Sequence, residues 1–234
     1  MTSFALAQRS RLTATSVGSE GEAVLQTAAA LQHPEQLVDL AASSGFAPAY
    51  SAAGGYPGLR ASLPGAYIRA IVEALSGPLS DAFSLGRIRP IKAEGAFSLV
   101  TLPTGSLSAS QRAPHADSTN PLQFAILHYP CDATFGGTTF FQHRATAFET
   151  LSEQRLPAYK AKRDIEGTAP GYVDDGAPWF EQTARVAAGF NKLVAYRSCL
   201  LHSGYVPDPA LLSPDPRLGR LTANVFVTFV RDPA

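Results

Sequence analysis

From Arg87 to its end, the chain is cut by turn residues into short extended segments, and that punctuation leaves few folds open. Ile88, Ile91, Ala93, Phe97, Leu99 and Thr101 read as parts of extended segments that break at Pro103-Thr104-Gly105. Phe124–Tyr129 and Thr138–Gln142 read as two further strands joined by a turn over Cys131–Gly137. Asn191–Ser198 follows, then Leu200–Tyr205, and Arg220–Val230 (RLTANVFVTFV) is the clearest strand. Roughly eight short strands separated by turn signals predict an all-β sandwich, jelly roll or barrel.

The residues before 87 read differently. Residues 1–20 are polar and suit either a tail or an edge strand. Glu20–Leu31 is rich in Ala, Glu, Gln and Leu and reads as helical. Pro34 suits a helix start, and Leu37, Val38, Leu40 and Ala41 continue at helical spacing until Ser43-Ser44-Gly45. Phe46–Leu63 reads as a loop marked by Gly54-Gly55 and Pro57-Gly58. A stronger helix spans about Pro64–Leu75, with Tyr67, Ile68, Ile71, Val72 and Leu75 on one stripe. Gly77-Pro78 is expected to close it, with a short helix near Leu79–Leu85. Such apolar stripes pack on a sheet or on each other. In the second half, Ala147–Arg155 and Phe180–Ala188 also carry some helical pattern, on either side of an irregular stretch.

Chemistry concentrates at three places. His115-Ala116-Asp117 puts an imidazole and a carboxylate on one face of an extended segment, because strand side chains repeat every second residue. His202 stands in Leu200-Leu201-His202-Ser203-Gly204, near the end of the strand series. In a rolled double sheet, strands distant in sequence face each other, and two His with one carboxylate form the facial arrangement of non-haem Fe(II) oxygenases. Arg220 opens the last strand with Thr222 two positions on, so a guanidinium fork and a hydroxyl share a face and could bind a carboxylate. Each feature alone has a plainer reading: a polar turn at His115 and Asp117, a core histidine at 202, and a surface arginine paired with Asp215 or left in water at 220. His128 and His143 read as structural or pocket-lining, with His143 exposed beside Arg144.

Composition narrows the classes. Of 234 residues, 45% are hydrophobic and 16% charged, which favours a packed core over disorder. Lys plus Arg and Asp plus Glu are 19 each, so no basic field invites nucleic acid. Cys131 and Cys199 form neither a disulfide framework nor a zinc spacing and read as buried thiols. No signal peptide or membrane span is evident, so a cytoplasmic protein with no membrane partner is expected.

Together, His115, Asp117, His202 and the Arg220/Thr222 pair resemble the double-stranded β-helix dioxygenases that use Fe(II) and 2-oxoglutarate, and the Gly136-Gly137-Thr138 turn is similar to their prolyl-hydroxylase-like branch. Tyr56-Pro57-Gly58-Leu59-Arg60-Ala61, the GGTTFF segment, Phe190–Tyr196 and Leu-Leu-His-Ser-Gly resemble a bacterial family, domain of unknown function 6445. The resemblance implies one mainly β domain over 1–234. Residues 1–86 would be a largely helical N-terminal part, 87–234 a double-stranded β-helix, and 156–188 an insert. It implies iron held by His115, Asp117 and His202, with no catalytic residue beyond these ligands. The 2-oxoglutarate co-substrate would be gripped by Arg220 and Thr222, with a phenol from Tyr129 or Tyr196. The gap between His202 and Arg220 is longer than usual, which makes Arg197 the substitute for Arg220. A carboxylate at position 117 implies hydroxylation rather than halogenation. The substrate is expected to be a small molecule or peptide, specificity to come from loops 43–63, 103–114 and 156–188, and a homodimer to be possible. Trp179 and residues 156–188 could form a lid or a packed insert. Two other classes stay open: a non-catalytic binding protein, and a cupin-like metalloenzyme without 2-oxoglutarate. The direction of the Arg220 guanidinium separates them.

Overall fold

The structure, a computed structural model, describes residues 4–7, 11–51, 54–174 and 177–232. The very start of the expected N-terminal tail and the Asp175-Gly176 part of the expected turn lie outside the described residues. In chain order the elements are β1 (Thr13–Val17), β2 (Glu22–Thr27), α1 (Glu35–Ala42), β3 (Ala47–Ser51), β4 (Gly54–Ser62), α2 (Gly65–Ala82), β5 (Ile88–Val100), β6 (Gln123–Tyr129), β7 (Gly137–His143), α3 (Leu156–Arg163), β8 (Phe180–Ala187), β9 (Lys192–Arg197), β10 (His202–Tyr205) and β11 (Arg220–Arg231). A large sheet runs β1-β2-β9-β6-β11-β5-β4-β3, and a small one runs β10-β7-β8. All pairings are antiparallel, and the fold is a mainly β double-stranded β-helix with helices packed on its outside.

The large sheet is buried on both faces, and β11 shows how. Leu221, Ala223, Val225, Val227 and Phe229 point outward, where Tyr67, Ile71, Val72, Leu75 and Leu79 of α2 cover them. The helix stripe alone buries five large side chains, which contributes on the order of 10 kcal/mol before conformational entropy is subtracted. The alternate residues Arg220, Thr222, Asn224 and Phe226 face inward. Between the sheets, Ala125, Tyr129, Val194 and Tyr196 meet Phe140, Val186 and Leu200. A third cluster lies under the small sheet, where Phe141 and Leu201 pack on Tyr159, Val173, Ala177 and Phe180.

Several expectations are corrected. Glu22–Thr27 is a strand, not part of a helix, because β2 pairs with both β1 and β9 and puts Val24 and Leu25 into the two cores. The expected loop 46–63 holds β3 and β4. Gly58 there marks a close backbone approach rather than a turn: a Cβ would lie 2.0 Å from the Leu99 carbonyl oxygen. The first 86 residues are therefore strand and helix in alternation, not largely helical. Gly77-Pro78 does not close α2, since Leu79 beyond it is fully buried and holds the helix on to Ala82. Residues 147–155 form turns and two isolated β-bridges, at Phe148 and Thr150, and the helix follows them as α3. Phe180–Ala187 is a strand on the free edge of β7.

His128 is structural, as expected. Its Nδ1 lies 3.0 Å from the Tyr67 hydroxyl and its Nε2 3.0 Å from Asn191 Oδ1, and burial pushes the ring down to about 4, so it is neutral. His143 is the opposite of exposed. It is fully buried, with Nε2 3.0 Å from Glu166, Nδ1 2.8 Å from Thr146, and its ring against Tyr159 and Phe180. The segment after β7 folds back over it. Cys131 and Cys199 are free, buried thiols whose burial raises them to about 11.

Glu166 gives this packing a pH signature. Its burial favours the neutral acid, but hydrogen bonds from His143 and Arg163 outweigh that and hold it below its ordinary 4.5. A depressed acid contributes stability above the unfolded value and loses it as pH falls through the folded one. Glu166→Gln is expected to lower stability by about 1–3 kcal/mol at pH 7. Urea midpoints of wild type and variant should converge below pH 4.5, and parallel midpoints across that range would refute the role.

Candidate metal and co-substrate site

The site begins with a backbone pairing. The His115 N–H donates to the His202 carbonyl and the His202 N–H to the His115 carbonyl, both at 2.9 Å. Residues exchanging both bonds in an antiparallel pair stand directly opposite each other, with side chains on one face. The imidazoles accordingly lie with ring centroids 4.6 Å apart. Asp117, two residues on, returns to the same face and is fixed by its N–H donating to the Ser198 carbonyl at 2.8 Å. Its Oδ1 is 3.7 Å from His115 Nε2 and its Oδ2 3.5 Å from His202 Nε2, and all three ligating atoms lie within 4.8 Å of one another.

Those separations are too long for strong hydrogen bonds and suit three donors around one ion. The imidazoles are prepared for that. His202 Nδ1 is 2.9 Å from the Leu200 carbonyl, which can only accept, so the proton sits on Nδ1 and the Nε2 lone pair faces Asp117. The Ala113 carbonyl supports the His115 ring. Enclosure pushes His115 down to about 4, His202 adds to this and Asp117 opposes it. Half of the His115 side chain faces open cavity, which weakens the enclosure, yet at either extreme the ring is mainly neutral near pH 7. Two nitrogens and one carboxylate on one side, with the other side open, fit a divalent transition metal that keeps free positions for ligands.

The triad opens into a cavity of about 450 Å3 between the two sheets. Arg220 lines it from the first position of β11, opposite Val100 of β5. It is 4% exposed. Its Nε donates to the Phe135 carbonyl at 2.9 Å and one Nη to the Gly137 carbonyl at 2.6 Å, while no carboxylate among the described residues pairs with it. A buried guanidinium without a counter-charge is costly unless an anion joins it. The Gly136-Gly137 turn makes this grip possible. Gly136 has φ +91°, and a Cβ there would sit 2.0 Å from the Tyr205 carbonyl oxygen.

Among the other expected residues, Thr222 and Tyr196 line the cavity and Tyr129 does not. The Tyr129 hydroxyl is spent on Thr138 at 2.6 Å, and it is Thr138 that reaches the cavity. Tyr196 packs edge-on against His202, and its buried hydroxyl has no partner among the described residues. Burial, then Asp117 and Tyr129, raise it well above the ordinary phenol value, so it remains a donor. Arg197 is excluded as a substitute for Arg220. As the next residue on β9 it points to the other face, where it pairs with Glu22 at 2.8 Å and lies over Phe83. The 206–219 segment loops outside, with Arg217 bound to Asp39, and leaves Arg220 in register.

The lining residues missed from sequence include Tyr56, Arg60, Tyr172 and Asn224. Asn224 continues the period of two from Arg220 and was legible there, and Tyr56 and Arg60 lie in the quoted Tyr-Pro-Gly-Leu-Arg-Ala segment. Tyr172 carried no local signal. It enters from the 156–188 stretch and donates to the Leu102 carbonyl at 2.6 Å. Trp179 packs on Gly167 and in the third core cluster rather than over the cavity. Trp179 and its described neighbours Tyr159, Val173, Ala177 and Phe180 are thus packed in the protein's interior, and Tyr172 alone of the described stretch reaches the cavity. Among the described residues, no helix is long and apolar enough to cross a membrane.

No curated protein matches the chain. Among solved structures it is similar to the non-heme alpha ketoglutarate dependent epimerase SnoN from nogalamycin biosynthesis, at 13% identity, over 90% of this chain and 78% of that one, with a TM-score of 0.48. It is also similar to HygX from Streptomyces hygroscopicus with nickel and 2-oxoglutarate bound, at 13% identity, 89% and 84% coverage and a TM-score of 0.48. A third is an N-substituted L-amino acid dioxygenase from Burkholderia ambifaria, at 11% identity, 92% and 84% coverage and a TM-score of 0.38. The sequence matches one protein family over residues 8–227 of its 234, and the chain belongs to that family of unknown function, DUF6445.

Proposed function

We propose that the chain is an Fe(II)- and 2-oxoglutarate-dependent oxygenase that hydroxylates a small substrate. The observation that carries this reading is one cavity holding both the His115–Asp117–His202 triad and the buried, uncompensated Arg220. His115, Asp117 and His202 would hold the iron, and Arg220 would receive the far carboxylate of 2-oxoglutarate. Iron with 2-oxoglutarate supplies oxidation by O2, with the co-substrate converted to succinate and CO2.

The chain's own residues prepare that chemistry. The Leu200 carbonyl engages Nδ1 of His202, which leaves Nε2 as the nitrogen turned toward the metal position. The Phe135 and Gly137 carbonyls hold the guanidinium in place before the anion arrives, which lowers the ordering cost of binding. Thr222, with 2% exposure, lines the same cavity two positions on, its hydroxyl donating to the Ser98 carbonyl at 3.4 Å. Tyr196 has a phenol free to donate between the triad and Arg220. Val100, Leu127, Val206 and Phe226 supply apolar wall that keeps water from the reacting end. With Asp117 as third ligand no position is left for a halide, which favours hydroxylation over halogenation.

An anaerobic titration with Fe(II) and 2-oxoglutarate is expected to produce a weak visible charge-transfer band that His115→Ala lacks. Iron bound without a band would turn the reading to a cupin-like metalloprotein, and neither iron nor band would end the catalytic one. Arg220→Met is expected to weaken 2-oxoglutarate by about 30- to 150-fold while iron affinity holds, the loss of a charge-assisted pair worth roughly 2–3 kcal/mol. Gly136→Ala should lower the urea midpoint and 2-oxoglutarate affinity together, since its Cβ collides with the turn that aims Arg220. Gly105→Ala, with nothing within 4 Å, is the neutral control.

A further inference from the structure

The cavity has a second guanidinium that this chemistry does not use. Arg60 lies on β4 opposite Ser98 of β5, which in turn stands opposite Thr222 of β11, so Arg60 shares the inward face with Thr222. It sits at the rim, exposed, with its guanidinium carbon 4.8 Å from the centre of the Tyr56 ring. Among the described residues, no carboxylate or carbonyl binds it. Stacking holds the guanidinium by its face and leaves its N–H edge for a ligand.

Charge balance makes that edge significant. The described residues with formal charge that line the cavity are Arg60, Arg220 and Asp117. On the reading above, the co-substrate's two carboxylates neutralise Arg220 and one charge of a divalent metal, and Asp117 neutralises the other. Arg60 is left over. We propose that Arg60 receives the carboxylate of the molecule to be oxidised, so that the substrate is a small carboxylic acid held with its anionic end at the β4 rim and its body toward the triad. This rests on the function proposed above. A single planar fork with no lysine beside it matches one carboxylate, whereas a phosphate dianion would keep a negative charge unpaired. Tyr56 supports the fork from below. Its own hydroxyl is buried next to Thr222 without a well-formed hydrogen bond, on the Arg220 side of the ring. The two arginines therefore divide the cavity, with Arg220 deep and fixed for the co-substrate and Arg60 at the mouth for the substrate.

The test is calorimetric and needs no turnover. Hexanoate, 3-phenylpropionate and N-acetyl-L-leucine, each paired with its primary amide, are titrated into protein loaded with nickel(II) and 2-oxoglutarate, and into metal-free protein. At least one acid is expected to bind about tenfold or more tightly than its amide. Arg60→Gln should remove that preference, Arg60→Lys should keep part of it, and 2-oxoglutarate should bind both variants within about twofold of wild type. Acids that bind no better than amides, or not at all, overturn the proposal. So does an Arg60→Gln variant that loses 2-oxoglutarate as severely as the acids, which would place Arg60 in the co-substrate site. If wild type fails to bind 2-oxoglutarate with metal, the proposed function fails by itself, and the metal-free titration decides the Arg60 assignment separately.

Discussion

Two backbone hydrogen bonds of 2.9 Å, exchanged between His115 and His202, set the geometry on which the rest of the site depends. They join residues 87 positions apart in sequence as direct neighbours across a strand pair. Once the pair is fixed, the period of two in an extended chain delivers Asp117 to the same side. Nothing in the side chains themselves would hold two imidazoles and a carboxylate so close. The 3.5–3.7 Å gaps give only weak mutual attraction. The arrangement is maintained by the surrounding sheet, and its tight packing is what keeps three potential ligands poised.

Arg220 obeys the same logic with the opposite economy. Its burial costs desolvation, and the turn carbonyls of Phe135 and Gly137 return part of that cost through two strong hydrogen bonds. The glycines at 136 and 137 are needed because the turn passes so close to Tyr205 and Val186 that no Cβ fits at either position. The guanidinium is thus a rigid feature of the cavity floor. Arg60, stacked on an aromatic ring at the rim, is the adaptable one.

The grouping of the candidate site residues was more legible in the sequence than the scaffold around it. HxD, the distal histidine and the Arg-x-Thr pair carry their meaning in fixed local spacings, and β11 carries its two faces in plain alternation. The strand series after Arg87 pointed to an all-β sandwich, jelly roll or barrel, and the family resemblance narrowed it to a double-stranded β-helix. What was hidden depended on distant partners. The Ala- and Gln-containing stretch of β2 becomes a strand only because β9 offers it an edge 160 or more residues later. β3 and β4 looked like a loop because glycine was read as a turn signal, when Gly58 marks where two backbones nearly touch. His143 looked exposed beside Arg144 because its partner Glu166 arrives 23 residues on. Tyr172 entered the cavity from a stretch with no regular pattern at all.

The two-faced β11 has a consequence for how such chains can vary. Between Val206, which lines the cavity, and the buried Gly219, the segment loops outside the sheets, and the wide gap between His202 and Arg220 leaves the arginine in place. Inside β11 the register admits no change of length. The strand is clamped between β5 and β6, and a single-residue insertion or deletion would exchange its faces. Arg220 and Thr222 would turn toward the helix, and leucine and valine would turn toward the metal. In the last strand of this protein, odd and even are not interchangeable.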